Sequence, residues 1–565
     1  MTTPLGPPLL LFLGAITLAG AGRWMRRPLH QRGTALFFVA AAGLLQLYLR
    51  NQPVVPEFSR PWQPVLQPGT NLLWIGDGWN WYVASLMLLL GSVGVLLYDY
   101  RRGDQAMTGA ESQRTSINLA LHLGMLASGL LFVSSGNLLT ATLTWVLMDG
   151  LQLARYTFVL HRPASGHENG AKSRINRAQG LSLLGALLLL IGLLPAGPGG
   201  PGQPLQGGAL PVETVALMLV AAALRAGAYP FHLWLLPSST VRMSVSERLL
   251  DHMVPALGGL WLLAWAIDLG GELVLLGPVM LTLILLALLG SAVAAWTATD
   301  QPGHTSFVLV TSVGLAGLAG ALSPLEGPNA MIWPTTAFAL GGALWLVGER
   351  VWQEWGWQIP VSLGALALIG VPFTPGFLTQ PYLARLTTLD SLILPFFLTY
   401  VVAQTLQVAA LLRSWGTPPR GDLPSLRSSQ VMGLWVASVM LALPLALAGI
   451  YPRAIAALAS MPGAIPLDGG DLPSVVAGPS VWITLGVPLL LGIGVSVIRP
   501  RFWRRLGRYP DLLSRFASLE WVVEGARRAI GSVSVLWERL FNLFEGAGYV
   551  AWATAFVLLA FFLFG

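Results

Sequence analysis

Residues 224–239 read LRAGAYPFHLWLLPSS and follow the apolar run VETVALMLVAA at 212–222. An arginine, a histidine and two prolines therefore lie where a membrane-spanning helix would carry apolar side chains. Proline donates no backbone hydrogen bond, so we expect the helix to break near Pro230. Ionisable residues inside a membrane are costly and often functional. Arg225 and His232 are therefore candidate site residues.

The rest of the chain has the composition of a polytopic membrane protein. Of its 565 residues, 54% are hydrophobic and 10% are charged, and the mean hydropathy is +0.66. A spanning helix needs about 20 apolar residues, and roughly sixteen runs meet this loosely. Backbone groups in lipid must be hydrogen-bonded internally. We therefore predict an all-α polytopic membrane protein with about 14–16 transmembrane helices.

The distribution of positive charge predicts the topology. If every run crosses once, five basic loops fall on one side of the membrane, and the opposite loops are uncharged or acidic. By the positive-inside rule, the basic side is cytoplasmic and both termini lie outside, in a prokaryotic-type inner membrane. The net charge of +7 does not indicate nucleic-acid binding, because the basic residues lie in short loops between spans. The basic loops are 23–32, 99–105, 161–177, 413–427 and 499–508.

Residues 499–546 form a segment that does not resemble a span. Its apolar side chains recur at helical spacing with arginines between them, which predicts one or two amphipathic helices along the cytoplasmic surface. This lateral segment could be a plain surface anchor or could grip partner subunits. Its apolar positions are Leu512, Leu513, Phe516, Leu519, Val522 and Val523.

Other ionisable or polar residues interrupt the apolar runs. Asp149 lies in the fifth apolar run, near 138–160, with Arg155 nearby, and His122 lies in the fourth, near 116–135. Acid, base and histidine groups beside a broken helix suit ion conduction. Structural ion pairs in a large bundle are the alternative. The remaining members of this set are Asp251 and His252 in the eighth run, near 248–268, and Gln380 in the twelfth, near 359–385.

Several motifs carry a family resemblance. RAGAYPFHLWLLP (225–237) resembles the seventh-helix signature of the antiporter-like membrane subunits of respiratory complex I and of Mrp-type sodium/proton antiporters. Three further stretches resemble other family motifs in the same order: DGWNWYVASLMLLLGSVGVLLY (77–98), NLLTATLTW (137–145) and GVPFTPGFLTQ (370–380). The final helix, lateral segment and last helix resemble the layout of the distal complex I subunit.

The resemblance implies a domain plan. It implies discontinuous helices in two inverted five-helix repeats. The corresponding regions are N-terminal helices at 1–110, repeats at 111–270 and 271–415, C-terminal helices at 416–498, the lateral segment at 499–546 and a last helix at 547–565.

The chain departs from the family at its relay positions. Val146 holds the place of the fifth-helix glutamate, and Asp149 is the nearest acid, on nearly the same helix face. Arg225 replaces the seventh-helix lysine. A guanidinium stays protonated, whereas a buried lysine can release its proton. We therefore hypothesise an Asp149–Arg225 ion pair.

The second half lacks the family's lysines. Gln380 holds the place of the twelfth-helix lysine and cannot titrate. Near the ninth helix only Asp300 remains of the family's aspartate-led motif, and the single lysine of the chain, Lys172, lies in a loop. A half-channel from the cytoplasm to Asp149 remains possible through His122, His232, Asp251 and His252.

The resemblance implies a membrane-arm subunit of a complex I-type NADH:quinone oxidoreductase that takes part in proton translocation coupled to electron transport. The alternatives are a free-standing cation/proton antiporter and a structural arm component that does not conduct. No cofactor or metal is predicted on this chain, because it has no cysteine, no phosphate-binding glycine loop and no histidine pair at metal spacing. Electron transfer would belong to other membrane and peripheral subunits of the assembly.

Overall fold

Helices make up most of the described chain. The computed structural model describes residues 3–62, 71–76, 78–98, 107–160, 168–195, 202–208, 210–234, 244–271, 276–387, 393–413, 415, 428–464, 478–506, 509–519, 521, 522, 525 and 528. The chain divides into two units, Met1–Gly507 and Arg508–Gly565.

The first part of the larger unit consists of consecutive helices, most of them apolar. They are α1 (Gly6–Ala21), α2 (Pro28–Arg50), α3 (Gly78–Leu96), α4 (Gly109–Val133), α5 (Leu138–Leu160), α6 (Glu168–Gly192) and α7 (Val212–Ala226). Next come a 3-10 turn at Phe231–Trp234, α8 (Val245–Arg248), a π-helical turn at Leu249–Met253 and α9 (Val254–Gly271).

The second part repeats this mixture of long, interrupted and broken helices. Its helices are α10 (Leu276–Thr297), α11 (Gln301–Ala321), α12 (Gly327–Thr336), α13 (Ala343–Trp355), α14 (Ile359–Ile369), α15 (Gln380–Leu383), α16 (Leu394–Arg413), α17 (Ser428–Ile450), α18 (Pro452–Ala459) and α19 (Pro479–Leu506). A π-helical turn at Ala337–Gly342 joins α12 to α13, and 3-10 turns lie at Pro324–Glu326, Pro375–Thr379, Ala384–Thr387 and Pro462–Ala464.

These helices confirm the predicted all-α polytopic membrane fold. Within the described residues, ten helices are long and apolar enough to cross a membrane. Shorter apolar helices lie at Gly6–Ala21, Gly180–Gly192 and Ile359–Ile369. The predicted last helix lies outside the described residues, and the repeat boundaries and membrane orientation stay predictions.

The helix break expected near Pro230 is present, and a second helix breaks before Pro372. α7 ends at Ala226, and Gly227 follows with a φ of 69°; α14 ends at Ile369, and Gly370 follows with a φ of 84°. A left-handed glycine is the usual way to end a helix. Each helix therefore ends at a glycine that lies three residues before Pro230 or two residues before Pro372.

A small sheet connects three loops at one end of the bundle. Strand β1 (Glu57–Pro61) pairs antiparallel with β2 (Asn71–Ile75). The amide of Ile75 donates to the carbonyl of Ser134 at 2.8 Å, and the amide of Gly136 donates to the carbonyl of Leu73 at 2.8 Å. The amide of Leu205 in turn donates to the carbonyl of Gly136 at 2.8 Å. The α2–α3, α4–α5 and α6–α7 connections are thereby tied together.

The predicted lateral segment is described only in part. α19 continues through Arg499 to Leu506, so the predicted boundary at 499 falls inside a helix. In the smaller unit, α20 (Tyr509–Ala517) is amphipathic and exposes Leu512 and Phe516. Most of 519–546 and all of 547–565 lie outside the described residues. A lateral helix therefore stays a prediction.

Candidate functional site

A buried ion pair joins α5 to α7 beside the helix break. Arg225 Nη1 lies 2.5 Å from Asp149 Oδ1, and both side chains are almost fully buried. Ser182 of α6 completes a triangle, since its Oγ donates to Asp149 Oδ1 at 2.7 Å and accepts from Arg225 Nη1 at 2.6 Å. The hypothesised Asp149–Arg225 pair is therefore present.

Trp145 fixes the other side of this pair. It lies one helical turn before Asp149 on α5, and its Nε1 donates to Asp149 Oδ2 at 2.9 Å. The guanidinium carbon of Arg225 lies 4.6 Å from the centre of the Trp145 ring, within cation–π distance. Gly185 of α6 admits the ring, because a Cβ there would lie 2.5 Å from a ring carbon. Both carboxylate oxygens of Asp149 are consequently hydrogen-bonded.

A second ion pair lies farther along α5. Arg155 Nη1 contacts Asp251 Oδ2 of the π-helical turn. His122 Nε2 of α4 lies 3.3 Å from the other oxygen of the same carboxylate. Arg155 also reaches Glu247 of α8, with 3.8 Å between Nη2 and Oε1. Asp251 is therefore held between a permanent cation and a histidine.

Two neutral side chains extend this second cluster. Arg155 Nε donates to Asn118 Oδ1 at 3.1 Å, and Asn118 Nδ2 donates to the Tyr98 hydroxyl at 2.7 Å. The sequence places Arg155 near Asp149, but its ion-pair partners are Asp251 and Glu247. Six residues of helix separate Arg155 from Asp149, which corresponds to about 9 Å along the axis.

The two other predicted histidines lie in different surroundings. The His232 ring is fully buried; it stacks on Tyr229 at 4.9 Å between ring centres and lies 5.0 Å from Phe307. His252 lines a cavity of about 20 Å³ together with Ser306 of α11. A water molecule needs about 10–15 Å³ of such space, so the cavity can hold one. His252 thus faces the second half of the chain, whereas its neighbour Asp251 faces the first.

Gln380 lies at the second helix break. It is the first residue of α15 and is fully buried. A Cβ on Gly370 would lie only 3.1 Å from Gln380 Nε2, so the glycine leaves room for this amide. The Gln380 side chain also reaches the Tyr400 hydroxyl of α16.

α16 carries a stripe of buried polar side chains that the sequence reasoning missed. Gln404 Nε2 lies 3.5 Å from the carbonyl of Ile369 at the break, and Gln407 Nε2 donates to Ser312 Oγ at 3.2 Å. The amide oxygens of Gln404 and Gln407 have no protein hydrogen-bond partner among the described residues, and such oxygens can accept from water. The spacing at Tyr400, Gln404 and Gln407 was the signal available, because positions three and four residues apart share one helix face.

Two titratable residues of the second half were also missed. His304 Nε2 lies 3.0 Å from the carbonyl of Ala410 on α16. Glu349 of α13 accepts from Gln301 Nε2 at 2.7 Å and from Thr305 Oγ1 at 3.4 Å. Glu349 directly follows the apolar residues 330–348, which the sequence reasoning interpreted as one membrane span, and the glutamate was therefore overlooked.

The described residues contain no group of three or more histidine, aspartate or glutamate side chains that could hold a metal ion. The buried ionisable residues can instead bind protons and stabilise charge. Carboxylates and histidines supply protonatable groups, and the arginines supply fixed positive charge.

No family model matches the chain. A curated relative from Rhizobium meliloti (strain 1021), a probable component of a K(+)/H(+) antiporter, is 24% identical over 391 residues, covering 62% of this chain and 37% of that protein. The chain thus spans well under half the length of this relative.

Two solved structures have the same fold. A chain of the Mrp complex from Dietzia sp. DQ12-45-1b matches with a TM-score of 0.78 and 17% identity, covering 98% of this chain and 62% of that chain. A chain of respiratory complex I from Thermus thermophilus with bound NADH matches with a TM-score of 0.62 and 19% identity. The match covers 84% of this chain and 100% of that chain. The resemblance predicted from the motifs is therefore confirmed: the chain has the fold of the antiporter-like membrane subunits of these assemblies.

Proposed function

We propose that the chain is a proton-translocating, antiporter-like subunit of a multi-subunit membrane complex. The observation that carries this proposal is the pair of buried acid–arginine contacts on α5, Asp149–Arg225 and Asp251–Arg155. Buried charges at such depth are costly unless paired, and they commonly mark ion pathways.

The arginines decide how such a subunit would work. A guanidinium keeps its proton, so protons are carried by Asp149, Asp251 and His122. The Asp149–Arg225 contact lies at the end of α7, where the helix breaks after Ala226. In this proposal the contact opens and closes as a proton passes.

The host complex is part of the proposal. The greater coverage by the Mrp complex and the name of the curated relative support a cation/proton antiporter assembly. Membership in a complex I-type NADH:quinone oxidoreductase rests on the motifs and on the second structural likeness. Purification of the native complex in mild detergent distinguishes these hosts, because iron–sulfur and quinone-module subunits would accompany only the second.

A non-conducting structural role is the second candidate. It is favoured by Gln380, which places a side chain that cannot titrate at the second break.

Proton flux in proteoliposomes containing the purified complex tests the proposal. Asp149→Asn keeps the size of the side chain and removes its charge, and we expect it to abolish flux. Glu213→Gln is the matched control, because Glu213 lies exposed on α7, and it should leave flux unchanged. Normal flux in Asp149→Asn would overturn the proposal.

A further inference from the structure

One buried carboxylate differs from the others in its partners. The buried acids of the described chain are Asp149, Asp251, Glu349 and Glu354. Asp149 and Asp251 are paired with arginines, and Glu354 Oε1 lies 2.6 Å from Arg350 Nε. Within the described residues, Glu349 has no arginine at ion-pair distance, and its hydrogen bonds come from a neutral amide and a neutral hydroxyl.

The helices around Glu349 supply charge only at longer range. Arg248 of α8 and Arg413 of α16 interact with it electrostatically. α14 and α17, which also pack against α13, carry no titratable residue. On α11, Gln301 and Thr305 face Glu349, whereas His304 is directed to the carbonyl of Ala410 and the edge of Trp345.

We infer that Glu349 is a proton-binding site of the second half of the subunit. The inference rests on the proposed function and adds to it a buried acid of this half that has no paired arginine among the described residues. An ionised carboxylate buried without a paired cation is costly, whereas the neutral acid is not. The Gln301 amide can donate to the carboxylate or accept from the acid, so both forms are accommodated. The carboxylate takes a proton from hydronium, leaving water, and release reverses this step.

The position of Glu349 suits proton entry and onward transfer. Gln301 is partly exposed, so solvent reaches the site at the end of the bundle where α11 begins. The polar stripe of α16 leads through Gln407 to Gln404 at the helix break, and Arg413 of the same helix lies beside the end where α11 begins. Ser306, which follows Thr305 directly in sequence, lines a cavity with His252 of the first half.

Carbodiimide labelling of the intact complex in native membranes tests the inference. Dicyclohexylcarbodiimide adds to protonated carboxyl groups in apolar surroundings, and peptide mass spectrometry locates the adduct. Cleavage after Arg350 places Glu349 and Glu354 on different peptides. We expect Glu349 to be labelled at acidic pH and to lose the label at alkaline pH, while Glu354 stays unlabelled. An unlabelled Glu349, or equal labelling of the two glutamates at every pH, would overturn the inference.

Flux measurements separate this inference from the proposed function. Glu349→Gln keeps both hydrogen-bonding positions, and Glu354→Gln is its matched control on the same helix. We expect loss of proton flux in Glu349→Gln and normal flux in Glu354→Gln. Loss in Asp149→Asn with normal flux in Glu349→Gln would overturn the inference and leave the proposed function standing. Normal flux in Asp149→Asn would overturn the proposed function, whatever the result for Glu349→Gln.

Discussion

At the scale of single residues, the Asp149–Arg225 pair depends on both of its members. Each charge lies almost completely buried, and each is neutralised by the other. Removing one partner of a buried pair leaves an uncompensated charge, whereas replacing both with apolar groups does not.

Arg225→Met should therefore destabilise the protein by about 3–5 kcal/mol, because Asp149 is left buried and unpaired. The double variant Asp149→Leu with Arg225→Met should recover most of this loss. Thermal unfolding in detergent measures the stability of the single and the double variant. Additive losses in the double variant would show that the two charges do not stabilise each other.

The indole of Trp145 offers a second test at this scale. Trp145 donates to a carboxylate, whereas Trp333, equally buried, donates to the carbonyl of Ala464 at 2.6 Å. Hydrogen bonds to charged groups contribute about 1.5–3 kcal/mol and neutral ones about 1 kcal/mol. Trp145→Phe should thus lower the melting temperature more than Trp333→Phe. The reverse order would contradict the assigned role of Trp145.

At the scale of elements, two left-handed glycines end their helices in different surroundings. A Cβ on Gly370 would lie 2.9 Å from the carbonyl oxygen of Gly376 and 3.1 Å from Gln380 Nε2. Gly356, which ends α13, has a φ of 69° and no atom within 4 Å of such a Cβ. An alanine at either position would have the same strained left-handed backbone. Its methyl group would meet close neighbours only at position 370.

Gly356→Ala should cost about 1–2 kcal/mol, the cost of the left-handed conformation alone. Gly370→Ala should cost more, because the methyl group also displaces the second break and Gln380. Melting temperatures of the two variants test the difference, and equal losses would show that the break relaxes around the methyl group.

At the scale of the whole molecule, the polar stripe on α16 provides the second half with a continuous buried surface that can bind water. Gln404→Leu combined with Gln407→Leu keeps side-chain volume and removes this surface. If the barrier to transfer rises by about 1.4 kcal/mol, proton flux falls about tenfold. Val402→Leu, on the exposed face of the same helix, should leave flux unchanged. Normal flux in the double variant would exclude the stripe as a path.

Much of this architecture follows from local sequence. Hydropathy marks the spans, and the Gly227–Pro230 and Gly370–Pro372 stretches mark the breaks. The Asp149–Arg225 pair could be predicted, because the helical period and the family motif both indicated Asp149 as the partner of Arg225. The partner of Arg155, the Glu349 site and the glutamine stripe depend on contacts between helices far apart in sequence. Polar residues scattered in apolar runs do not show which of them face each other.

The small sheet has a mechanical consequence for the bundle. Its strands clamp the connections that lead into α3, α5 and α7, so these helices are held at a common base. A rod fixed at its base swings farthest at its free tip. Any rocking of α5 against its neighbours is therefore largest at the opposite end, where Arg155 contacts Glu247. The carboxylate of Asp149 lies nearer the fixed end and is displaced less.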